Sequence, residues 1–167
     1  KRHTVLDLFC GCGGLSLGFE QAGFDVLAGI DVWRDALVTY QANHPNSRAM
    51  QADLMNLCPE DVEKEIGNSS VDVIIGGPPC QGFSMANRQR IIDDPRNNLY
   101  KAYLTFLKEV RPLFFVMENV RGMRNKIEEI KLDFAEYLGA EYQYSFAILN
   151  AQDYGVPQNR ERFIMIG

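Results

Sequence analysis

Histidine and cysteine are scarce in this sequence, with two of one and four of the other among 167 residues. A metal site built on Cys10 and Cys12 would need two further ligands, and only His3 and His44 are available as histidines. Metal binding is therefore not expected, and Cys10, Cys12 and Cys58 read as ordinary free thiols. No apolar run approaches the roughly 20 residues that span a bilayer, and the first residues lead straight into a strand pattern rather than a secretory signal. The expected setting is intracellular: cytoplasm in a prokaryote, nucleus in a eukaryote. There, four cysteines do not form a disulfide framework. Positive charge is also short. The net charge of −5 argues against a surface that coats nucleic acid generally. Basic residues do gather locally, at Arg88, Arg90 and Arg96, at Arg121, Arg124 and Lys126, and at Arg160 and Arg162. Internal repeats and low-complexity segments are missing as well.

What is present is an alternation of short apolar runs and amphipathic segments. Thr4 to Leu8 reads as a buried strand, followed by a glycine turn and a helix from Gly13 to Ala22. Asp25 to Ile30 reads as the second strand, Arg34 to Asn43 as a helix ended before Pro45, and Arg48 to Gln51 as a short third strand. Val71 to Ile75 is the clearest strand, cut off by Gly76-Gly77-Pro78-Pro79. Ser84 to Asn97 is polar and aperiodic and reads as a long loop, a type of segment that is often functional. Helices are expected over Asn98 to Val110 and Ile127 to Leu138, and strands over Leu113 to Met117, Tyr142 to Leu149 and Arg162 to Ile166. The pattern predicts an α/β fold with a mostly parallel sheet and helices on both faces.

In such a sheet, ligands bind outside the carboxyl ends of the strands. Just past those ends stand Phe9-Cys10-Gly11-Cys12-Gly13-Gly14, Asp31, Asp53, Pro78-Pro79-Cys80 and Glu118-Asn119. Glycines let a ligand approach the backbone closely and aim a helix N-terminus at it. An acid about 20 residues beyond such a turn, as Asp31 is beyond Gly11, suits ribose hydroxyls. The turn departs from the dinucleotide fingerprint, because Ser16 stands three residues after Gly13. A tight strand-to-helix turn with no ligand is the competing reading. Cys80 follows two prolines, which fix the backbone and lack amide donors. A Gly/Pro turn is a poor place for core packing, so Cys80 reads as a positioned nucleophile. Glu118 follows an apolar run, where an unpartnered acid is costly; it reads as a group that holds or donates a proton on a substrate heterocycle.

Taken together these residues resemble the DNA cytosine-5 methyltransferase family, from about Thr4 to the last residue. The motifs are Asp7 to Gly14, Gly77 to Ser84, Glu118-Asn119-Val120, and Gln158-Asn159-Arg160-Glu161-Arg162. Each is modest alone; all four in order are highly specific. The resemblance implies a Rossmann-like S-adenosylmethionine-dependent methyltransferase fold. It implies that cytosine is flipped out of double-stranded DNA, that Cys80 attacks carbon-6, and that carbon-5 then takes the methyl group, leaving S-adenosylhomocysteine. Glu118 would contact ring nitrogen 3 and the amino group, Arg162 would hold the carbonyl oxygen, and Arg160 would organise the site. Phe9, Cys10, Gly11, Gly13 and Gly14 would form the cofactor loop. Asp31 would bind ribose, with Asp in place of the family's usual Glu. Val32 or Trp33 would lie against adenine, Asp53 and Leu54 would meet its edge, and Pro79 and Leu99 would line the pocket. Gln81 and Ser84 would reach DNA phosphates.

The resemblance further implies a target-recognition region and a last motif that these residues do not contain. Residues 1–167 are accordingly expected to be the catalytic domain of a longer protein or one subunit of a split enzyme, with the recognition function supplied by the remaining polypeptide. The alternatives are an RNA cytosine methyltransferase, a non-catalytic cofactor-binding homologue and, last, an NAD-linked enzyme, which would give Cys80 and the arginine motif no role.

Overall fold

A computed structural model describes residues 2–67, 69–79, 97–140 and 142–167. Cys80, Gln81, Ser84 and the basic residues Arg88, Arg90 and Arg96 lie outside the described residues. In chain order the elements are β1 (Thr4–Leu8), α1 (Gly14–Gln21), β2 (Asp25–Asp31), α2 (Arg34–Asn43), β3 (Arg48–Gln51), α3 (Pro59–Glu65) and β4 (Val73–Gly76). They continue with α4 (Asn98–Val110), β5 (Phe114–Val120), α5 (Ile127–Leu138), β6 (Ser145–Asn150) and β7 (Glu161–Ile166). Short 3-10 turns occupy Arg121–Lys126 and Ala151–Tyr154.

The seven strands form one sheet in the order β3-β2-β1-β4-β5-β7-β6. The first five pair in parallel, and β7 runs antiparallel to both β5 and β6. The expectation of a mostly parallel sheet thus holds, with an antiparallel edge hairpin that the apolar runs did not announce. Strand order reverses between β1 and β4, which places the crevice of an open α/β sheet beside Leu8 and Gly76, a directly paired couple.

Alternation along the strands divides the core. Leu6, Leu8, Ile30, Ile74, Phe115, Met117, Phe163 and Met165 meet Tyr103, Leu104 and Leu107 of α4 and Ile130 and Phe134 of α5. On the other face Val5, Val26, Val73 and Ile75 pack with Leu15 and Phe19 of α1. Burial of each such side chain contributes roughly 1.5–3 kcal/mol against leaving it in water. The α1 face is covered unevenly. Beyond Val116, Phe114 is 57% and Ile166 49% exposed.

Several boundaries differ from the sequence reading, β4 for one beginning at Val73 rather than Val71. Strand β5 does not end at Met117 but runs on through Glu118 and Asn119 to Val120. Its polar residues continue the pairing with β7, Glu118 opposite Ile164 and Asn119 opposite Phe163. Helix α3 was not expected, because its sequence Pro-Glu-Asp-Val-Glu-Lys-Glu buries only Val62. Strand β6 begins at Ser145 rather than Tyr142, whose hydroxyl instead donates to the Pro112 carbonyl at 2.6 Å.

Candidate active site

The glycine-rich loop leaves β1 through a strained backbone. Phe9 has φ 61°, a left-handed value uncommon for a residue with a side chain, and such outliers cluster at functional sites. Gly13 follows at φ 91°. A Cβ there would stand 2.1 Å from Nε2 of His44 and 2.9 Å from the Tyr40 ring, so only glycine closes this turn onto α2.

Beneath the loop lies a buried polar network. Ser16 Oγ donates to Asp7 Oδ2 at 2.6 Å and lies 3.1 Å from the Tyr40 hydroxyl, which is 2.8 Å from Ser47 Oγ. His44 Nδ1 is 2.8 Å from Glu20 Oε2. Burial pushes the Asp7 carboxyl from 3.8 up to about 7, against the lowering effect of its hydrogen bonds with Ser16. A folded value above the unfolded one means that folding favours the protonated form. The contribution is full below about 3.8, is lost as pH rises towards about 7, and is flat beyond. Asp7→Asn, which keeps an acceptor for Ser16, is expected to exceed the wild type in stability at pH 8 by up to about 4 kcal/mol. Denaturation curves from pH 4 to 8 should show that gap closing towards acid.

Asp31 ends β2 and turns its carboxylate back onto the loop. Oδ2 accepts from the Gly11 amide and Oδ1 from the Trp33 amide, both at 2.9 Å. Asp53 makes a similar local turn, accepting from the Met55 amide at 3.0 Å and from Asn56 Nδ2 at 2.8 Å. Each carboxylate oxygen keeps a free lone pair for a ligand. Between them lies a cleft of about 420 Å³, lined by Phe9, Asp31, Val32, Ala52, Asp53, Leu54, Met55, Gly77, Pro79 and Leu99.

Seven of the sequence-derived residues therefore share one cavity at the strand-order reversal. Others sit differently. Cys10 is buried against Leu37 and Tyr40, and burial raises its thiol far above the ordinary range; its contribution to the loop is its backbone. Gly11, Gly13 and Gly14 shape the turn without lining the cleft. Val32 lines the cavity, while Trp33, 65% exposed, does not. Ala52, Met55 and Gly77 line it too, and nothing in their residue types marked them beforehand beyond their adjacency to Asp53 and Pro78.

The other half of the rim is built by β4, β5 and β7. Glu118 and Arg162 sit on the same face, diagonal across the β5–β7 pair. Arg162 Nε lies 2.9 Å from Glu118 Oε1, with each side chain about a quarter exposed. Oε2 of Glu118 faces the turn after β4, where a Cβ on Gly77 would be 2.9 Å away. Gly77→Ala must displace the carboxylate. It is expected to slow a single turnover by about 10- to 100-fold with the fold intact, as rapid-quench kinetics and circular dichroism would show.

Arg160 is exposed beside a second, open polar cleft that also includes Arg121, Gln158, Asn159 and Arg162. Its backbone is fixed: its amide donates to Asn150 Oδ1 at 3.0 Å, and its carbonyl accepts from the Ala151 amide at 3.0 Å. Arg121 Nη1 pairs with Glu161 Oε2 at 2.5 Å. The rim thus offers an acid and several guanidinium groups next to the peptide leading to Cys80.

The sequence model of C-5 cytosine-specific DNA methylases matches residues 3–167. The chain belongs to that family. It is 43% identical over 170 residues to the type II methyltransferase M1.HphI of Haemophilus parahaemolyticus, covering 98% of this chain and 45% of that protein. It is 45% identical over 172 residues to M.DdeI of Desulfomicrobium norvegicum, covering 98% and 40%. Among solved structures, a putative DNA modification methyltransferase encoded within a prophage (E. coli) superposes with TM-score 0.85 at 38% identity, covering 99% of this chain and 46% of that one. Spodoptera frugiperda DNMT2 gives 0.75 at 26% identity, with 98% and 49% covered. The chain thus spans less than half the length of these relatives. Its fold is that of S-adenosylmethionine-dependent DNA methyltransferases, as expected. Among the described residues no group of three or more histidine, cysteine or acidic side chains forms a metal site, and no helix is long and apolar enough to cross a membrane.

Proposed function

We propose that this chain is the catalytic domain of a DNA cytosine carbon-5 methyltransferase that uses S-adenosylmethionine. The observation that carries the reading is the Glu118–Arg162 pair at 2.9 Å, on the rim beside the turn that leads to Cys80. That pair presents a carboxyl group and a guanidinium to one ring. A cytosine edge offers complementary groups, ring nitrogen 3 and the amino group for Glu118 and the carbonyl oxygen for Arg162.

The cleft fits the cofactor. Phe9, Val32, Leu54 and Leu99 provide apolar walls for adenine, and Asp31 and Asp53 provide acceptors for hydroxyl and amino groups. Two carboxylates also suit a ligand carrying sulfonium and ammonium charges. When bound, the cofactor supplies an electrophilic methyl group on sulfur. Phe9, Asp31 and Leu99 would hold it in the cleft that Gly77 and Pro79 also line.

Chemistry begins at Cys80. Its thiolate adds to carbon-6 of a flipped cytosine, forming the sulfur–carbon bond and pushing the ring electron pair towards carbon-5 and nitrogen 3. Glu118 holds the proton at nitrogen 3 as charge develops there, and Arg162 stabilises the carbonyl oxygen. Carbon-5 would take the methyl group as its bond to the cofactor's sulfur breaks, leaving S-adenosylhomocysteine; loss of the carbon-5 proton to a base would then break the bond from Cys80 to carbon-6 and return the thiolate. The Arg160 backbone, held by Asn150, fixes the chain entering β7 two residues before Arg162. Gln81 and Ser84 contact DNA phosphates in this reading, and polypeptide outside residues 1–167 supplies target recognition.

The test is methyl incorporation by the full-length protein, with tritiated cofactor, into double-stranded DNA and into transfer RNA, followed by nucleoside analysis. The reading predicts 5-methyldeoxycytidine from DNA. Label found only in RNA, or on another atom of the base, would overturn it.

A further inference from the structure

Two consecutive residues of β5 lie against two consecutive residues of the turn after β4. Glu118 reaches Gly77 on one face of the strand, as described above. Asn119 points to the opposite face and is buried, 6% exposed. Its Nδ2 donates to the Pro78 carbonyl at 2.8 Å, and its Oδ1 accepts from the Val120 amide at 2.9 Å. Both polar ends of the side chain are therefore used, and one of them fixes the peptide two residues before Cys80.

The turn depends on such an outside donor. Pro78 and Pro79 carry no amide hydrogen, so this segment contributes carbonyl acceptors and no donors of its own until Cys80. Pro78 is itself buried, where an unpaired carbonyl is unfavourable. Asparagine fits for a chemical reason: one terminus must donate to Pro78 while the other accepts from Val120. Aspartate keeps the acceptor but places a carboxylate oxygen against the Pro78 carbonyl. Leucine would keep the volume and supply neither.

We propose that Asn119 is a positioning residue for the nucleophile, holding the Pro78-Pro79 turn so that the thiol of Cys80 meets carbon-6 in line. The proposal rests on the methylation reading above. A reacting atom displaced by about 1 Å can lose on the order of a hundredfold in rate, and this one hydrogen bond anchors the turn from the side opposite Glu118.

The experiment uses the full-length protein with Asn119→Asp and Asn119→Ala. Three quantities are read: binding of S-adenosylhomocysteine by calorimetry, DNA binding, and the rate of covalent adduct formation with DNA containing 5-fluorocytosine. The expected result is that both variants bind cofactor and DNA as the wild type does. Their adduct formation, per cofactor-binding molecule, slows by at least about tenfold, with kcat falling and KM unchanged. Asn119→Ala, which introduces no charge, keeps the test valid if the aspartate variant does not fold. An adduct rate per cofactor-binding molecule equal to that of the wild type would overturn the proposal and leave the methylation reading standing. So would loss of cofactor binding in proportion to the rate, which marks a merely structural residue. Failure of the wild type itself to form an adduct would overturn both.

Discussion

Glu118→Gln is expected to lower the methyl-transfer rate by about 10²- to 10⁴-fold while leaving cofactor affinity unchanged. The substitution preserves shape and, in the proposed mechanism, removes the ability to hold a proton at nitrogen 3. It also leaves Arg162 facing a neutral amide, where the wild type has a carboxylate oxygen 2.9 Å from its Nε. Both consequences act on charge that develops only as the thiolate adds, so kcat rather than KM should carry the loss. The cleft proposed for the cofactor is lined by other residues, Asp31, Asp53 and Leu54 among them. Rapid-quench single turnovers on cytosine DNA, beside calorimetric titration of S-adenosylhomocysteine, separate the two effects. A Glu118→Gln variant with near-normal single-turnover rate would remove Glu118 from the chemistry. One that lost cofactor binding would show that its role lies in building the fold.

Cys80→Ser should be more severe still. A serine hydroxyl is scarcely ionised at neutral pH, whereas a cysteine thiol has a useful thiolate fraction that its surroundings can raise. Methyl transfer is expected to fall by at least about a thousandfold, with DNA and cofactor binding retained. The other three thiols offer no substitute. Cys10 is buried and its ionisation suppressed, and Cys12 and Cys58, though exposed, lie in the loop after β1 and at the start of α3 rather than in the turn after β4.

The parallel half of the fold was legible because its strands are short apolar runs ended by turn residues. Val5, Leu6 and Leu8, or Ile74 and Ile75, read as buried because they are. The edge hairpin was less legible. Antiparallel pairing of β7 with β5 leaves no mark in composition, and Glu118 and Asn119 look like loop residues although they lie within a strand. Helix α3 escaped because its short charged sequence shows almost no periodic apolar face.

The site divides in the same way. Acids placed after strands could be read, and Asp31 and Asp53 do share one cleft. Their backbone hydrogen bonds could not be read, since the Gly11–Asp31 bond depends on how far the loop folds back over β2. Cys10 and Gly13 belong to the right turn, but their side-chain positions face α2 rather than the cleft. Asn119 was visible only as the neighbour of Glu118. Its significance comes from the Pro78 carbonyl, 41 residues away in the chain.

The most direct test of the covalent account is to incubate the full-length protein with S-adenosylmethionine and duplex DNA carrying 5-fluorocytosine at its target site, then digest and map the linked peptide by mass spectrometry. Fluorine at carbon-5 cannot leave as a proton does, so the adduct persists. The account predicts a methylated fluoropyrimidine attached through the sulfur of Cys80. A protein that methylates ordinary DNA cytosine at carbon-5 yet yields no linked peptide, or one linked through another residue, would contradict it.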